Sequence, residues 1–121
     1  MQPLDFVILY VDAPERSAAF YADLLGIEPV ERSPTFALFL LPSGMRLGLW
    51  SRHTVEPAAA PGVAGGCELT FRTDDPDALH GAWSARGLAI LQPPTDMDFG
   101  RSFVALDPDG HHLRGYRMAE G

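Results

Sequence analysis

At 121 residues the chain is sized for one domain with its own core, and 46% hydrophobic with 21% charged residues is an ordinary globular composition. A net charge of −7 excludes a general phosphate-backbone binder, and one cysteine, Cys67, excludes an internal disulfide and a multi-cysteine zinc site. With no apolar run near the ~20 residues of a membrane span and no basic-plus-apolar leader, a cytoplasmic protein is expected, with neither membrane nor nucleic-acid partners.

Asp5 to Val11 is an apolar β run. Asp12, with Pro14 two residues on, predicts a helix start: a side-chain acceptor for free amides, then a φ-locked early position. Phe20, Tyr21, Leu24 and Leu25 recur at helical spacing, and Gly26 is the stop. Glu28–Arg32, Phe36–Leu41 and Met45–Ser51 read as strands, the last two joined at Pro42-Ser43-Gly44. Pro57, Pro61, Gly62, Gly65 and Gly66 mark a linker at about 58–65. Cys67–Thr73 reads as the next strand. Asp75-Pro76 opens a second helix whose stripe is Leu79, Ala82, Trp83 and Arg86, with Trp83 in the core and Gly87 as its end. Leu88–Leu91 is a short strand, and Gln92 to Phe99, with Pro93-Pro94, is expected to be a loop.

The stretch from Phe99 to Tyr116 closes the chain as two strands around a tight turn. Pro108 suits the first central turn position and Gly110 the left-handed one. With Asp107 to Gly110 as the turn, Leu106 faces His111, Ala105 faces His112 and Phe103 faces Arg114. Period-2 alternation then puts Arg101, Phe103, Ala105, His112, Arg114 and Tyr116 on one face.

The chain is one pattern written twice. Asp12 maps onto Asp74, 62 residues on, while Pro42, Gly44, Leu47 and Trp50 map onto Pro108, Gly110, Leu113 and Tyr116 at a constant offset of 66. A strand–helix–strand–strand–strand unit cannot bury its sheet face singly, and two side by side can. The expected architecture is α+β: one domain of two βαβββ modules, at 1–57 and 66–121.

Tyr10-Val11-Asp12, Ser17-Ala18-Ala19-Phe20-Tyr21, Leu25-Gly26, Phe99-Gly100-Arg101-Ser102-Phe103 and Asp107-Pro108-Asp109-Gly110-His111 together resemble the vicinal-oxygen-chelate superfamily. That superfamily holds glyoxalase I, the extradiol dioxygenases and the bleomycin-resistance proteins. Pro93 to Arg114, with Glu56-Pro57 and Leu49-Trp50-Ser51, look closest to its phenazine-antibiotic-resistance binding proteins. The resemblance implies paired βαβββ modules forming a curled mixed sheet around a cavity, the glyoxalase/bleomycin-resistance-like fold, usually in a homodimer.

Enzymes of this superfamily hold a divalent metal on their first, fourth, fifth and eighth strands. The matching positions here are Phe6, Gly48, Glu68 and Arg114. Phenylalanine and glycine offer no side-chain ligand, arginine repels a cation, and one carboxylate makes no site. A slip of one residue brings in Asp5, Cys67 or Leu113, still no ligand set. His111 and His112 are adjacent and point to opposite faces, while His53 and His80 lie apart. No metal and no cofactor is therefore expected.

If those positions mark the concave face, alternation adds Ile8 and Tyr10 beside Phe6, and Thr70 and Arg72 beside Glu68. Hairpin pairing adds Ala37, Phe39, Arg46 and Trp50, with Gly48 leaving room for a ligand. The candidate binding residues are Phe6, Tyr10, Phe39, Arg46, Trp50, Glu68, Arg72, Phe99, Arg101, Phe103, His112, Arg114 and Tyr116. Aromatic rings stack on flat aromatic ligands, and arginines add cation–π attraction or a grip on a carboxylate. Glu68 and Arg114 are expected to pair, since a lone buried charge is costly. Trp50, Phe39 and Phe103 compete with a plain core reading, and Arg101 with a surface one. Arg114 is the least easily explained, because a cation amid an inward-reading strand needs a partner or a ligand.

The expected function is a metal-free protein that binds a small planar aromatic natural product, conferring antibiotic resistance by sequestration. The alternative is a metal-dependent glyoxalase-like lyase or isomerase, or an extradiol-type dioxygenase. A third, metal-free acid–base catalysis by Glu68 with His112 or Tyr10, has nothing in the sequence that demands it. No nucleophile elbow, phosphate loop or dinucleotide fingerprint occurs.

Overall fold

The computed structural model describes residues 4–59 and 67–120, and it builds the same run of five elements twice. The chain divides into two compact units, Met1–Ala64 and Gly65–Gly121. Residues 60–65 of the expected linker lie outside the described residues.

The first unit comprises β1 (Phe6–Val11), α1 (Pro14–Leu25), β2 (Glu31–Arg32), β3 (Phe36–Leu40) and β4 (Arg46–Ser51). Its strands lie in the order β1-β4-β3-β2, with β1 parallel to β4 and the other pairs antiparallel. One sheet face packs against α1: Leu9, Val11, Ala37, Phe39, Leu47 and Leu49 are buried with Ala18 and Tyr21. Each such large side chain contributes roughly 1.5–3 kcal/mol by leaving water. Proline at the first helical position starts α1, and Gly26, left-handed at φ 69°, ends it with its N–H on the Ala22 carbonyl. The expected Asp12 cap is absent. The N-cap is Ala13, without a side-chain bond, and Asp12 meets His53 Nε2 at 2.7 Å and Arg52 at 3.5 Å.

The second unit repeats this with β5 (Glu68–Arg72), α2 (Pro76–Ala85), β6 (Ala89–Met97), β7 (Gly100–Leu106) and β8 (His112–Met118), ordered β5-β8-β7-β6. Here the cap is as expected: Asp75 Oδ1 accepts from the Ala78 amide at 3.1 Å. Trp83 is buried edge-on to Phe71 and Phe103, at 5.3 and 5.2 Å between ring centres. Gln92 to Met97 is strand rather than loop. Register shifts between Ile90, Gln92 and Thr95 carry Pro93-Pro94, whose missing amides cannot join a regular ladder.

The β7–β8 hairpin departs from the predicted pairing by one residue, while the β3–β4 hairpin keeps the pairing its Pro42-Ser43-Gly44 connection implies and departs only in the face expected for Ala37 and Phe39. Leu40 pairs with Arg46 and Leu106 with His112, so each loop holds five residues. The loops close alike: Leu41 N–H on the Met45 carbonyl and Gly44 N–H on Leu41, then Asp107 N–H on His111 and Gly110 N–H on Asp107. Because side chains alternate with period 2, a one-residue slip moves a strand's whole set across the sheet. The slip turns Arg101, Phe103 and Ala105 to α2, and the pairing of Ala37 with Leu49 and of Phe39 with Leu47 turns both to α1, away from the open sheet faces where they were expected.

Candidate functional site

The parallel pairing of β5 with β8 sets Glu68 beside His112, Thr70 beside Arg114, and Arg72 beside Tyr116. Antiparallel β7 adds Ser102 and Val104 on the same face, the one turned away from α2. A cavity of about 370 Å³ lies here, lined by Glu68, Thr70, Phe99, Arg114, Tyr116 and Met118. Its size falls within the roughly 300–1,000 Å³ of small-molecule sites.

Arg114 organises the polar side of the cavity. Its Nε donates to Glu68 Oε2 at 3.0 Å and its Nη2 to Oε1 at 3.2 Å, a bidentate pair. Nη1 donates to the buried Ser102 hydroxyl at 2.9 Å, and that hydroxyl donates to Met97 Sδ at 3.4 Å. His112 Nδ1 stands 3.4 Å from Glu68 Oε1. The Arg114 guanidinium, ahead of burial acting the other way, holds the Glu68 carboxyl below the usual carboxylate range. Glu68 is thus an ionised acceptor committed to its neighbours, a poor general acid. Replacing Arg114 with Gln is expected to raise the Glu68 titration toward its ordinary value in carboxyl-carbon NMR. An unmoved titration would mean the pair does not form.

The structure brings Glu68, Phe99, Arg114 and Tyr116 around one cavity, with His112 at its side and the Arg72 guanidinium carbon 5.9 Å from the centre of the Tyr116 ring. Phe103 and Arg101 are not among them. Phe103 packs against Trp83 and His80 beneath α2, and Arg101 binds Asp77 of α2 through two bonds of 3.0 Å and Asp96 at 2.9 Å. Phe39 is core under α1. Phe6, Tyr10, Arg46 and Trp50 share the open face of the first unit's sheet, paired Phe6 with Arg46 and Tyr10 with Trp50. Thr70 lines the cavity, on the face where alternation put it beside Glu68; Met118 also lines it although absent from the candidates, and continuing the alternation two residues past Tyr116 finds it. Ser102 was hidden by the hairpin slip, which had put it on the face opposite Tyr116.

The positions that the resemblance marks for a metal, Phe6, Gly48, Glu68 and Arg114, do not make a site here. Gly48 leaves no room: a Cβ there would meet Phe6 Cε1 at 2.9 Å and Phe36 Cζ at 3.1 Å. Both Glu68 oxygens are already held by a permanent cation. A phenylalanine, a glycine, a spent carboxylate and an arginine do not fit a divalent ion. Among the described residues no three His, Cys, Asp or Glu side chains cluster as ligands. Burial pushes the Cys67 thiol up, which argues against a nucleophile. No helix among the described residues is long and apolar enough to cross a membrane.

Residues 4–114 match the Glyoxalase/Bleomycin resistance protein/Dioxygenase superfamily. The phenazine antibiotic resistance protein EhpR of Enterobacter agglomerans is 31% identical over 111 residues, covering 88% of this chain and 85% of that protein. The solution NMR structure of an Agrobacterium tumefaciens protein is 54% identical, covers 99% of this chain and 100% of that one, and superposes with a TM-score of 0.88. A glyoxalase/bleomycin resistance protein/dioxygenase from Nocardioides, 26% identical, covers 100% of this chain and 87% of its own with a TM-score of 0.82.

Proposed function

The chain belongs to the Glyoxalase/Bleomycin resistance protein/Dioxygenase superfamily, and from that membership we propose that it is a metal-free protein sequestering a planar aromatic compound of the phenazine type. The observation that carries this reading is the cavity itself. Its carboxylate and Arg114 neutralise each other, while Phe99, Tyr116 and Met118 offer ring faces and a thioether to a flat apolar guest. Aromatic contacts of this kind add about 0.5–1.5 kcal/mol each beyond area burial. The similarity to a phenazine antibiotic resistance protein supports the ligand class. In this reading the protein is a cytoplasmic homodimer and performs no chemistry on its guest.

A ligand that binds only the folded state raises stability by mass action, about 2.7 kcal/mol at a hundredfold excess over Kd. Titrating phenazine into metal-free protein is expected to raise the unfolding midpoint by several degrees, saturably. An unmoved midpoint up to the solubility limit of the phenazine would overturn the proposal. The metal-dependent alternative requires stoichiometric nickel, zinc, iron or manganese in the purified protein. The expected metal analysis is empty, with binding intact.

A further inference from the structure

We propose that the guest is a carboxylated planar aromatic and that Arg72, not Arg114, holds its carboxylate; this rests on the sequestration reading above. Arg114 looks the natural anion grip, since it lines the cavity. Its fork is spent, however: Nε and Nη2 on Glu68 at 3.0 and 3.2 Å, Nη1 on Ser102 at 2.9 Å. A guest carboxylate taking those donors would strand Glu68 as an unpaired charge beside it, which like-charge repulsion and lost bonds both oppose.

Arg72 stands differently. It lies on the same sheet face, two residues along β5 from the cavity-lining Thr70, a rise of roughly 6.6 Å. Its guanidinium carbon lies 5.9 Å from the centre of the Tyr116 ring, which also lines the cavity. Among the described residues no carboxylate stands within ion-pairing distance of it. Among the described residues no protein acceptor takes its side-chain N–H groups, which are left for a two-pronged bond to a carboxylate.

The face therefore carries a charge gradient. At one end Glu68 is compensated by Arg114, with His112 at 3.4 Å, and at the other end stands a permanent cation without a counter-charge among the described residues. A flat ring set between Phe99, Met118 and the edge of Tyr116 meets a neutral floor below and a cation at its edge. An anionic substituent turned toward Arg72 satisfies both ends, and one turned toward Glu68 meets repulsion.

The test titrates phenazine-1-carboxylate and the neutral phenazine-1-carboxamide calorimetrically into the full chain and into R72Q, R72K and the double variant E68Q/R114Q, which removes the ion pair without leaving a net charge. Wild type is expected to favour the carboxylate about tenfold, in line with one charged hydrogen-bonded contact. R72Q should bring the carboxylate-to-amide ratio near one, and R72K should keep most of it. E68Q/R114Q should preserve the ratio whatever it does to the affinity of both ligands. A ratio that survives R72Q, or that collapses in E68Q/R114Q alone, overturns the assignment to Arg72. A wild-type ratio near one removes the carboxylate preference but leaves sequestration standing. If neither compound binds, the sequestration reading itself falls and takes this inference with it.

Discussion

Replacing Asp107 with alanine is expected to cost about 3–5 kcal/mol of stability, the range for breaking one side of a buried charged pair. This carboxylate ties the β7–β8 loop together. Its Oδ1 accepts from the Asp109 amide at 2.9 Å and the His111 amide at 2.8 Å, and its Oδ2 lies 2.9 Å from His111 Nδ1. The Asp107 side chain is wholly buried and that of His111 nearly so. Alanine leaves these donors facing a dry hole, which is why the cost exceeds that of a surface bond. Urea unfolding should show a lower midpoint with an unchanged slope. A loss below 1 kcal/mol would show that water replaces the carboxylate.

The same pair makes a pH signature. Hydrogen bonding to Asp107, partly opposed by burial, raises the His111 pKa above its ordinary 6.5. A raised folded value means that the contribution of protonated His111 is fully present below the unfolded pKa. It is lost as pH rises from there through the higher folded value. Asp107→Asn keeps an acceptor for the two amides but removes the charge facing His111. The stability gap between wild type and Asp107→Asn should therefore narrow as pH rises through that window. Parallel curves from pH 6 to 9 would contradict it.

Asp107 also explains what the sequence did and did not reveal. The element order, both helices and the repeat were legible because they rest on local signals: apolar runs, Asp-Pro or proline starts, glycine stops, and turn residues 66 apart. The pairing of Glu68 with Arg114 was legible from the cost of leaving either charge alone. Face assignment on β3 and β7 was not. On β7 it depends on whether the hairpin loop holds four residues or five, and Pro108 and Gly110 are compatible with both. The loop closes by the same two backbone bonds as the Leu41–Met45 loop, with the Asp107 carboxylate adding a bond from the His111 amide, and the first strand pair is Leu106 with His112. That one step moves Phe103 and Arg101 to α2; on β3 the pairing of Phe39 with Leu47 puts Phe39 under α1. Strand β6 was hidden by Pro93-Pro94, since a bulged edge tolerates prolines that a regular ladder excludes.

Gly100→Ala is expected to be as damaging as the loss of Asp107, again about 3–5 kcal/mol, through steric overlap rather than lost bonds. Gly100 pairs with Met97 and Met118 and holds φ at +146°, a region essentially reserved for glycine. A Cβ there would overlap the Arg117 carbonyl oxygen and stand 2.7 Å from the Ala119 nitrogen and 2.9 Å from the Met118 carbonyl carbon. All three are backbone atoms, so no side chain can swing aside. The ends of β7 and β8 must part, breaking the Ala119 N–H bond to the Phe99 carbonyl. Phe99 and Met118 are cavity walls, so ligand affinity should fall together with stability. Two controls separate the causes. Gly110→Ala, at φ +83° with nothing within 4 Å, should cost only about 1–2 kcal/mol of backbone strain. Gly81→Ala, inside α2 with equally open space, should stabilise by about 0.5–1 kcal/mol. If Gly100→Ala costs no more than Gly110→Ala, the close approach of β8 is not what holds the cavity rim in place.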